Sequence, residues 1–305
     1  MSKTAFLFPG QGAQTVGMGK DFYDALKVVR DVYDISSEAT GIDVAKLCFE
    51  PNDELNITEY TQVALLTTEV AILRAINDLG VKPDYCAGLS LGEYGALAAA
   101  SVMSDEDLFK VIRKRGLYMQ EAYPVGGAMM AVLGLDAESI AKVCKSVDGI
   151  VSIANDNCPG QIVITGEEKA VLKAGDLLKE AGAKRCIQLK VSGPFHSALL
   201  EGAGKQLSEV LKDVEIKTPQ IPYLSNVTAD VVTNKDDIRD LLTKQVSSPV
   251  RFRESILKLK ELGVTKFIEI GPGKTLTGFV KKTDTALETR NIEKIDDLGK
   301  FTYEI

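Results

Sequence analysis

The serine at position 90 stands in a setting that suits a nucleophile. It lies in the pattern G-x-S-x-G, here Gly88 to Gly92, between an apolar strand pattern and a helix pattern rich in small residues. A sharp turn from strand to helix exposes the hydroxyl of Ser90, and the glycines give the backbone room for that turn. Unpaired N–H groups at the start of the helix are suited to stabilise an oxyanion. The pattern also fits a tight turn with an ordinary N-cap serine.

His196 is the only histidine in the chain, so it is the one imidazole available to take a proton from Ser90. A serine hydroxyl is a poor nucleophile until a base removes its proton. His196 follows Gly193 and Pro194, which favour a turn at the exit of a predicted strand. A single histidine excludes a zinc site built from two or three histidines. The alternative is a turn histidine with no role in chemistry.

The loop Pro9 to Gly12 follows the first predicted strand. In a parallel sheet, loops at the carboxyl ends of the strands line the crevice where ligands bind. The main-chain N–H groups of Gln11 and Leu91 are therefore candidates for a two-donor oxyanion hole. A glycine-rich phosphate-binding loop is an equal interpretation of the same residues.

Two polar side chains fall within apolar helix faces. The helix predicted over about 104–122 carries Arg115 in the middle of an apolar stripe with the period of a helix. An inward guanidinium requires an anion, which is either an internal Asp or Glu or the carboxylate of a substrate. Gln245 stands in line with Ile238 and Leu242, so we expect it to point inward as well.

Strand and helix patterns alternate along the chain and predict an α/β fold with a mostly parallel sheet covered on both faces. From residue 126 the order becomes β-α-β-β-α-β, the ferredoxin-like order. We expect residues 1–125 and 192–305 to form a large α/β domain, with residues 126–191 inserted as a small ferredoxin-like domain. The predicted strands cover 3–8, 85–88, 128–135, 150–154, 161–165, 184–191 and 266–270, and the main predicted helices cover 61–79, 104–122, 136–147, 167–181, 236–245 and 255–262.

Composition limits the partners and the compartment. Lys and Arg total 36 against 43 Asp and Glu, giving a net charge of −7 without a long basic run, so nucleic-acid binding is not expected. No apolar run approaches the roughly 20 residues that span a bilayer, and the N-terminal apolar core is too short for a signal peptide. The five cysteines form no C-x-x-C pair, which is typical of reduced thiols in a cytoplasmic protein.

Motifs spread over nearly the whole chain resemble those of malonyl-CoA:acyl carrier protein transacylases and occur in the same order. They are Phe8 to Gln14, Gly88 to Tyr94, Arg115, Gly193 to His196, Gln245 with Pro249 to Phe252, and Glu269 to Gly273. The set is far more specific than any one of its members. The resemblance implies an α/β-hydrolase-like large domain that contains a parallel sheet and carries a ferredoxin-like insertion.

The resemblance also implies roles for five residues at the centre of the site. Ser90 would be the nucleophile and His196 its base. The main-chain N–H groups of Gln11 and Leu91 would stabilise the oxyanion, and Arg115 would bind the malonyl carboxylate.

Further roles follow from the same resemblance. Gln245 would orient the imidazole through its main-chain carbonyl, in place of a third acidic residue. Asn155 resembles an active-site asparagine of the family, and Phe195 resembles the malonyl-selective version, whose bulky ring crowds out an α-methyl group. The family usually has histidine before the serine, whereas this chain has Leu89, which changes the polarity beside the serine rather than the mechanism.

The predicted function is transfer of a malonyl group from malonyl-CoA to the phosphopantetheine thiol of acyl carrier protein, through a Ser90 acyl-enzyme, in fatty-acid biosynthesis. We expect no cofactor, no metal ion, no nucleic-acid or membrane partner, and a cytoplasmic monomer.

Two other functions stay open at this point. A serine hydrolase, such as a thioesterase or a patatin-like lipase, shares the serine turn but transfers the acyl group to water. A non-catalytic scaffold would keep the fold and bind acyl carrier protein. An inward Arg115 favours transfer over hydrolysis, and the joint presence of Ser90, His196 and Arg115 argues against a scaffold.

Overall fold

The computed structural model describes residues 2–191 and 193–302. Ser192, where the second part of the large domain is predicted to begin, lies outside the described residues, as do Met1 and residues 303–305. The strands and α-helices up to residue 125 are β1 (Lys3–Phe8), α1 (Lys20–Ala25), α2 (Lys27–Thr40), α3 (Val44–Phe49), α4 (Thr58–Asp78), β2 (Tyr85–Gly88), α5 (Gly92–Ala99) and α6 (Asp105–Ala122).

The remaining elements fall into two groups along the chain. The first group is β3 (Gly127–Leu133), α7 (Ala137–Lys145), β4 (Val151–Cys158), β5 (Gln161–Glu167), α8 (Glu168–Glu180) and β6 (Arg185–Gln188). The second group is α9 (Glu201–Lys212), β7 (Tyr223–Leu224), β8 (Val231–Val232), α10 (Ile238–Gln245), α11 (Phe252–Glu261), β9 (Val264–Ile270), α12 (Thr275–Thr283), β10 (Glu288–Ile292) and α13 (Ile295–Thr302).

The larger sheet of the described chain has the strand order β10-β9-β1-β2-β7-β8, and all its pairs are parallel except β7 with β8. Successive β1 side chains face opposite layers. Phe6 and Phe8 belong to a core that includes α2, α4 and α6, while Ala5 and Leu7 belong to a core that includes α11 and α12. The prediction of an α/β fold with a mostly parallel, doubly covered sheet is therefore confirmed.

Parallel pairing of β1 and β2 places the two loops that follow these strands at the same edge of the larger sheet. Phe8, the last residue of β1, lies opposite Gly88, the last residue of β2. Because the two strands run in the same direction and end together, the loop after Phe8 and the serine turn after Gly88 leave the same edge of the sheet.

The smaller sheet has the order β4-β5-β3-β6, and every neighbouring pair in it is antiparallel. Helices α7 and α8 pack against it. A separate hydrophobic cluster lies between these helices and the sheet, and it contains Val132, Ile140, Ile164 and Val171. A parallel bridge between Asn155 and Val250 ties the edge strand β4 to the segment after α10.

The strand predicted over 150–154 is longer in the structure and continues to Cys158. Polar residues 155–157 break the apolar pattern, so the sequence gives no reason to extend the strand. The ladder with β5 nevertheless carries them, through register shifts after Ile153 and after Asp156. These bulges allow the polar side chains to be buried, and Asn155 thereby lies in a strand instead of a loop.

The last three elements, α12, β10 and α13, have no counterpart in the predicted elements, which end at Ile270. Strand β10 has the sequence Glu-Thr-Arg-Asn-Ile, which lacks a clear apolar alternation. It forms a strand because β9 offers it a parallel partner at the edge of the sheet. Within the described ranges, no helix combines the length and the apolar character that crossing a membrane requires.

Helix α6 is held at its start by local chemistry. Ser104 is its N-cap, and the Ser104 hydroxyl accepts a hydrogen bond from the Asp107 N–H at 3.1 Å. Three acidic residues, 105–107, lie in the first turn, where the helix dipole favours negative charge. Arg115 lies on the buried face of this helix, together with Leu108 and Ile112.

Just after the serine turn, the end of β1 and the start of α5 approach each other very closely at Gly92. A Cβ atom on Gly92 would overlap the main-chain oxygen of Phe8 and would lie 2.6 Å from that of Pro9. Glycine is therefore required here for space and not for a left-handed backbone.

We predict that Gly92→Ala lowers the free energy of unfolding by about 1–3 kcal/mol, because the added methyl group must push β1 and α5 apart. The matched control is Gly202→Ala in α9, where an added Cβ meets nothing within 4 Å. The control should be neutral or stabilised by about 0.5–1 kcal/mol, since alanine is the better helix former. Melting temperatures of both variants decide the matter, and equal values would contradict this account.

Candidate active site

One cavity lies between the two sheets, at the carboxyl edge of β1 and β2. Seven of the eight residues predicted for the site line this cavity: Gln11, Ser90, Leu91, Arg115, Asn155, Phe195 and His196. Gln245 lies behind the lining and is hydrogen-bonded to both Ser90 and Arg115. The fold thus brings together residues that are up to 234 positions apart in the chain, from 11 to 245.

Ser90 occupies a strained turn that is clamped from outside. Its φ of 56° lies in the left-handed region, which is costly for a residue with a side chain. The Ser90 N–H donates to Asn226 Oδ1 at 2.7 Å, and Asn226 Nδ2 donates to the main-chain oxygen of Gly88 at 2.7 Å. Asn226 therefore holds both sides of the turn, and the hydroxyl of Ser90 projects into the cavity.

The imidazole of His196 bridges Ser90 and Gln245. Its Nε2 lies 2.7 Å from Ser90 Oγ, and its Nδ1 lies 2.9 Å from the main-chain oxygen of Gln245. A carbonyl oxygen can only accept, so Nδ1 carries the proton and Nε2 presents a lone pair to the serine hydroxyl. This is the arrangement that a general base needs.

Burial keeps this imidazole neutral. His196 is buried, and desolvation together with the positive charge of Arg115 lowers its pKa to about 4. At neutral pH the ring is therefore in its basic form and available to accept a proton from Ser90.

Two main-chain donors lie beside Ser90. Leu91 is the N-cap of α5, and Gln11 lies in the loop after β1. In the part of the chain that the structure describes, the N–H groups of Gln11 and Leu91 have no acceptor. Both residues line the cavity, so these N–H groups are available to an oxyanion formed at Ser90.

Arg115 is almost completely buried, with 1% of its surface exposed. Its Nη1 donates to Gln62 Oε1 at 2.6 Å, and its Nη2 donates to Gln245 Oε1 at 3.0 Å and to Ser90 Oγ at 3.2 Å. Every one of these acceptors is uncharged. Among the described residues Arg115 forms no ion pair with an Asp or Glu, so the interpretation with an internal acidic partner is wrong.

The hydrogen-bond network also contains the carboxyl group of Glu93, which is connected to Arg115 through the side-chain amide of Gln245. Gln245 Nε2 donates to Glu93 Oε2 at 2.7 Å and to the main-chain oxygen of Ser90 at 2.9 Å. Glu93 is fully buried, and burial raises its pKa to about 7 against the opposing effect of hydrogen bonds from Gln245 and Asn226 and of the Arg115 charge. Gln245 therefore links both the base and the arginine to a buried acid.

Asn155 and Phe195 line the wall of the cavity. Asn155 is 8% exposed and Phe195 is 5% exposed, and both residues line the cavity. Leu89 also lines the cavity and packs against the core beneath α11 and α12. The surface next to Ser90 is accordingly apolar at that position.

Three residues of the network were missed from the sequence: Gln62, Glu93 and Asn226. Asn226 follows the short strand β7, and a polar residue at the carboxyl end of a strand was the signal that could have identified it. Helix α4 is buried on nearly all sides, so its pattern does not single out Gln62. No group of three or more His, Cys, Asp or Glu among the described residues could hold a metal ion.

Comparison with known proteins gives a consistent result. The model of the acyl transferase domain family matches residues 5–302. A malonyl CoA-acyl carrier protein transacylase of Bacillus subtilis (strain 168) is 51% identical over 294 residues, covering 95% of this chain and 93% of its own.

Solved structures agree over the full length. An acyl carrier protein S-malonyltransferase from Vibrio cholerae superposes with a TM-score of 0.96 at 43% identity, covering 98% of this chain and 100% of its own. A malonyl-transacylase solved in complex with a type II PKS acyl-carrier protein has a TM-score of 0.97 at 41% identity, covering 100% of both chains.

We predict that the reaction of Ser90 with diisopropyl fluorophosphate slows as the pH falls through about 4, because His196 must be neutral to act as a base. Arg115→Gln should move this midpoint to higher pH, since removing a nearby positive charge raises the pKa of the imidazole. The measurement is the rate of covalent labelling against pH, with circular dichroism confirming the fold at each point. His196→Ala is the control and should lose the limb. An unmoved midpoint in Arg115→Gln would show that its charge does not act on His196.

Proposed function

Because this chain belongs to the acyl transferase domain family, we propose that it transfers a malonyl group from malonyl-CoA to acyl carrier protein through a Ser90 acyl-enzyme. The observation that carries the proposal is the buried guanidinium of Arg115, which lies 3.2 Å from Ser90 Oγ and has no carboxylate partner among the described residues. An acyl group on Ser90 that carries a carboxylate of its own would supply the missing anion. The product would be the extender unit of fatty-acid biosynthesis.

In the first step, His196 Nε2 takes the proton of Ser90 while the Oγ atom attacks the thioester carbonyl of malonyl-CoA. The N–H groups of Gln11 and Leu91 stabilise the oxyanion that forms on the carbonyl oxygen. The carbon–sulfur bond then breaks, and the CoA sulfur leaves with the proton from His196. Ser90 is left as a malonyl ester.

In the second step, the phosphopantetheine thiol of acyl carrier protein replaces CoA. His196 takes the thiol proton, the sulfur attacks the ester carbonyl, and the same two N–H groups stabilise the oxyanion. The ester bond breaks and Ser90 Oγ recovers the proton from His196. The two steps are mirror images, no electrons are gained or lost, and the chemistry requires no metal ion or cofactor.

The remaining site residues shape the acyl pocket and the base. Gln245 holds the imidazole by accepting a hydrogen bond from Nδ1, which stabilises the tautomer that the reaction needs. The ring of Phe195, next to His196, would limit the space for a branch on the α-carbon of the acyl group. Asn155 would offer polar contacts at the wall of the cavity.

We further propose the domain division of the chain: an α/β-hydrolase-like large domain of residues 1–125 and 192–305, and a ferredoxin-like domain of residues 126–191. Support comes from the strand order β4-β5-β3-β6 and from the separate hydrophobic core beneath that sheet. We also propose a cytoplasmic location, supported by the five cysteines, all of which are free thiols.

We predict that Ser90→Ala gains no mass on incubation with malonyl-CoA, whereas the wild-type protein gains one malonyl group on Ser90. The lost hydroxyl lines a cavity and supports no core packing, so the melting temperature should stay within about 2 °C of the wild type. A variant that still accumulated malonyl-enzyme would refute the assignment. Adding acyl carrier protein to the loaded wild type separates transfer, which yields malonyl carrier protein, from hydrolysis, which yields free malonate.

We predict that Arg115→Ala lowers the ratio of malonyl to acetyl kcat/KM by roughly a hundredfold or more. A charge-assisted contact in a dry site is worth about 2–4 kcal/mol, and an acetyl group has no carboxylate to lose. Arg115→Lys should recover only part of the ratio, because an ammonium keeps the charge without the planar fork. A preserved ratio together with a lower melting temperature would make Arg115 a structural residue.

A further inference from the structure

The uncharged partners of Arg115 have a consequence for acyl selection. We propose that Gln62 is a specificity-determining positioning residue: it holds the guanidinium with an amide where a carboxylate would fit, and so leaves the positive charge unpaired for the carboxylate of the acyl group. This inference rests on the proposed malonyl transfer and concerns how the site prefers an anionic acyl group.

Gln62 is placed to control the charge of Arg115. It lies on α4 with 1% of its surface exposed, and its Oε1 atom is 2.6 Å from Arg115 Nη1. Among the described residues, its Nε2 atom makes only a long contact, 3.6 Å to the sulfur of Met119. Glutamate has the same shape as glutamine, so it would fit this position and form an ion pair with Arg115. The chain instead has the residue that accepts the hydrogen bond and adds no charge.

The side-chain amide of Gln245 likewise accepts a hydrogen bond from Arg115 without adding a negative charge. Gln245 Oε1 accepts from Arg115 Nη2 at 3.0 Å, while Gln245 Nε2 donates to Glu93 and to the main-chain oxygen of Ser90. Those two acceptors determine which end of the amide faces the arginine. The carboxyl group of Glu93 therefore meets Arg115 only through an intervening amide and does not pair with the guanidinium directly.

The unpaired state is costly, which argues that it serves binding. A buried charge is normally paired and fully hydrogen-bonded. Here the Nε atom of Arg115 is buried without an acceptor in the described residues, and Nη2 is shared between Ser90 and Gln245. A carboxylate attached through Ser90 would supply the charge and the acceptors that the resting site lacks. A carboxylate at position 62 would supply them permanently and would compete with it.

The test compares Gln62→Glu with the matched control Gln62→Met, which removes the acceptor but adds no charge. The ratio of malonyl to acetyl kcat/KM should fall by about a hundredfold in Gln62→Glu. The new carboxylate pairs with the guanidinium of Arg115 and repels the carboxylate of the malonyl group. In Gln62→Met both rates should fall by similar factors, and the ratio should stay within about tenfold of the wild type.

A second readout separates charge from loose positioning. Burial lowers the pKa of His196 and the charge of Arg115 lowers it further, so a carboxylate beside Arg115 should shift the midpoint of diisopropyl fluorophosphate labelling of Ser90 to higher pH. Gln62→Met should leave that midpoint in place. If Gln62 only positioned the arginine, neither substitution would move the midpoint.

Several results would overturn the inference. One is an unchanged ratio of malonyl to acetyl kcat/KM in folded Gln62→Glu, and another is an equal fall of this ratio in both variants. A third is a fall of the ratio in folded Gln62→Met, a result that can be obtained even when Gln62→Glu does not fold. The wild-type protein is the control for the proposed function. If wild-type Ser90 gains no malonyl mass, the proposed function itself is refuted. If wild-type Ser90 is malonylated but the variants give one of these contrary results, only the role of Gln62 is refuted.

Discussion

A buried positive charge that has no direct carboxylate partner within residues 2–191 and 193–302 is the constraint on which the rest of this site depends. Arg115 is held by amide oxygens and by the serine hydroxyl, and the buried acid of the network, Glu93, contacts it only through Gln245. Burial lowers the pKa of His196, and this nearby positive charge lowers it further, so the imidazole is neutral at neutral pH. In the proposed function, the same charge attracts an anionic acyl group to the position next to Ser90. In the proposed reaction, the choice of acyl group and the basicity of His196 therefore both depend on the same guanidinium.

The proposed nucleophile and base, Ser90 and His196, both have strained backbone conformations. Ser90 and His196 both have left-handed φ values, 56° and 61°, although neither is glycine. Such conformations cost of order 1–3 kcal/mol each and persist only where the surroundings enforce them. Asn226 enforces the serine turn through two hydrogen bonds, and the main-chain oxygen of Gln245 holds the imidazole. These contacts hold Ser90 Oγ and His196 Nε2 2.7 Å apart.

Much of this arrangement is readable from the sequence where local rules apply. The G-x-S-x-G pattern, the strands 3–8 and 85–88 and the helix carrying Arg115 depend on alternation, helical period and glycine content within short segments. The inward direction of Arg115 and Gln245 follows from their neighbours on one helix face, and both are buried. The single histidine leaves one candidate for the base. Beyond Ile270 the local pattern is weak, and β10 exists because β9 stands ready to pair with it.

The sequence by itself determined the family motifs, the α/β class and the identities of the nucleophile, base and arginine candidates, because each of these is carried by residue type and short-range spacing. Only the tertiary structure decided what surrounds the guanidinium. Gln62, Glu93 and Gln245 are far apart along the chain and become neighbours through the packing of α4, α5, α6 and α10. Whether a buried charge meets an acid or an amide depends on which side chains converge from different elements. No periodicity within one element records that convergence.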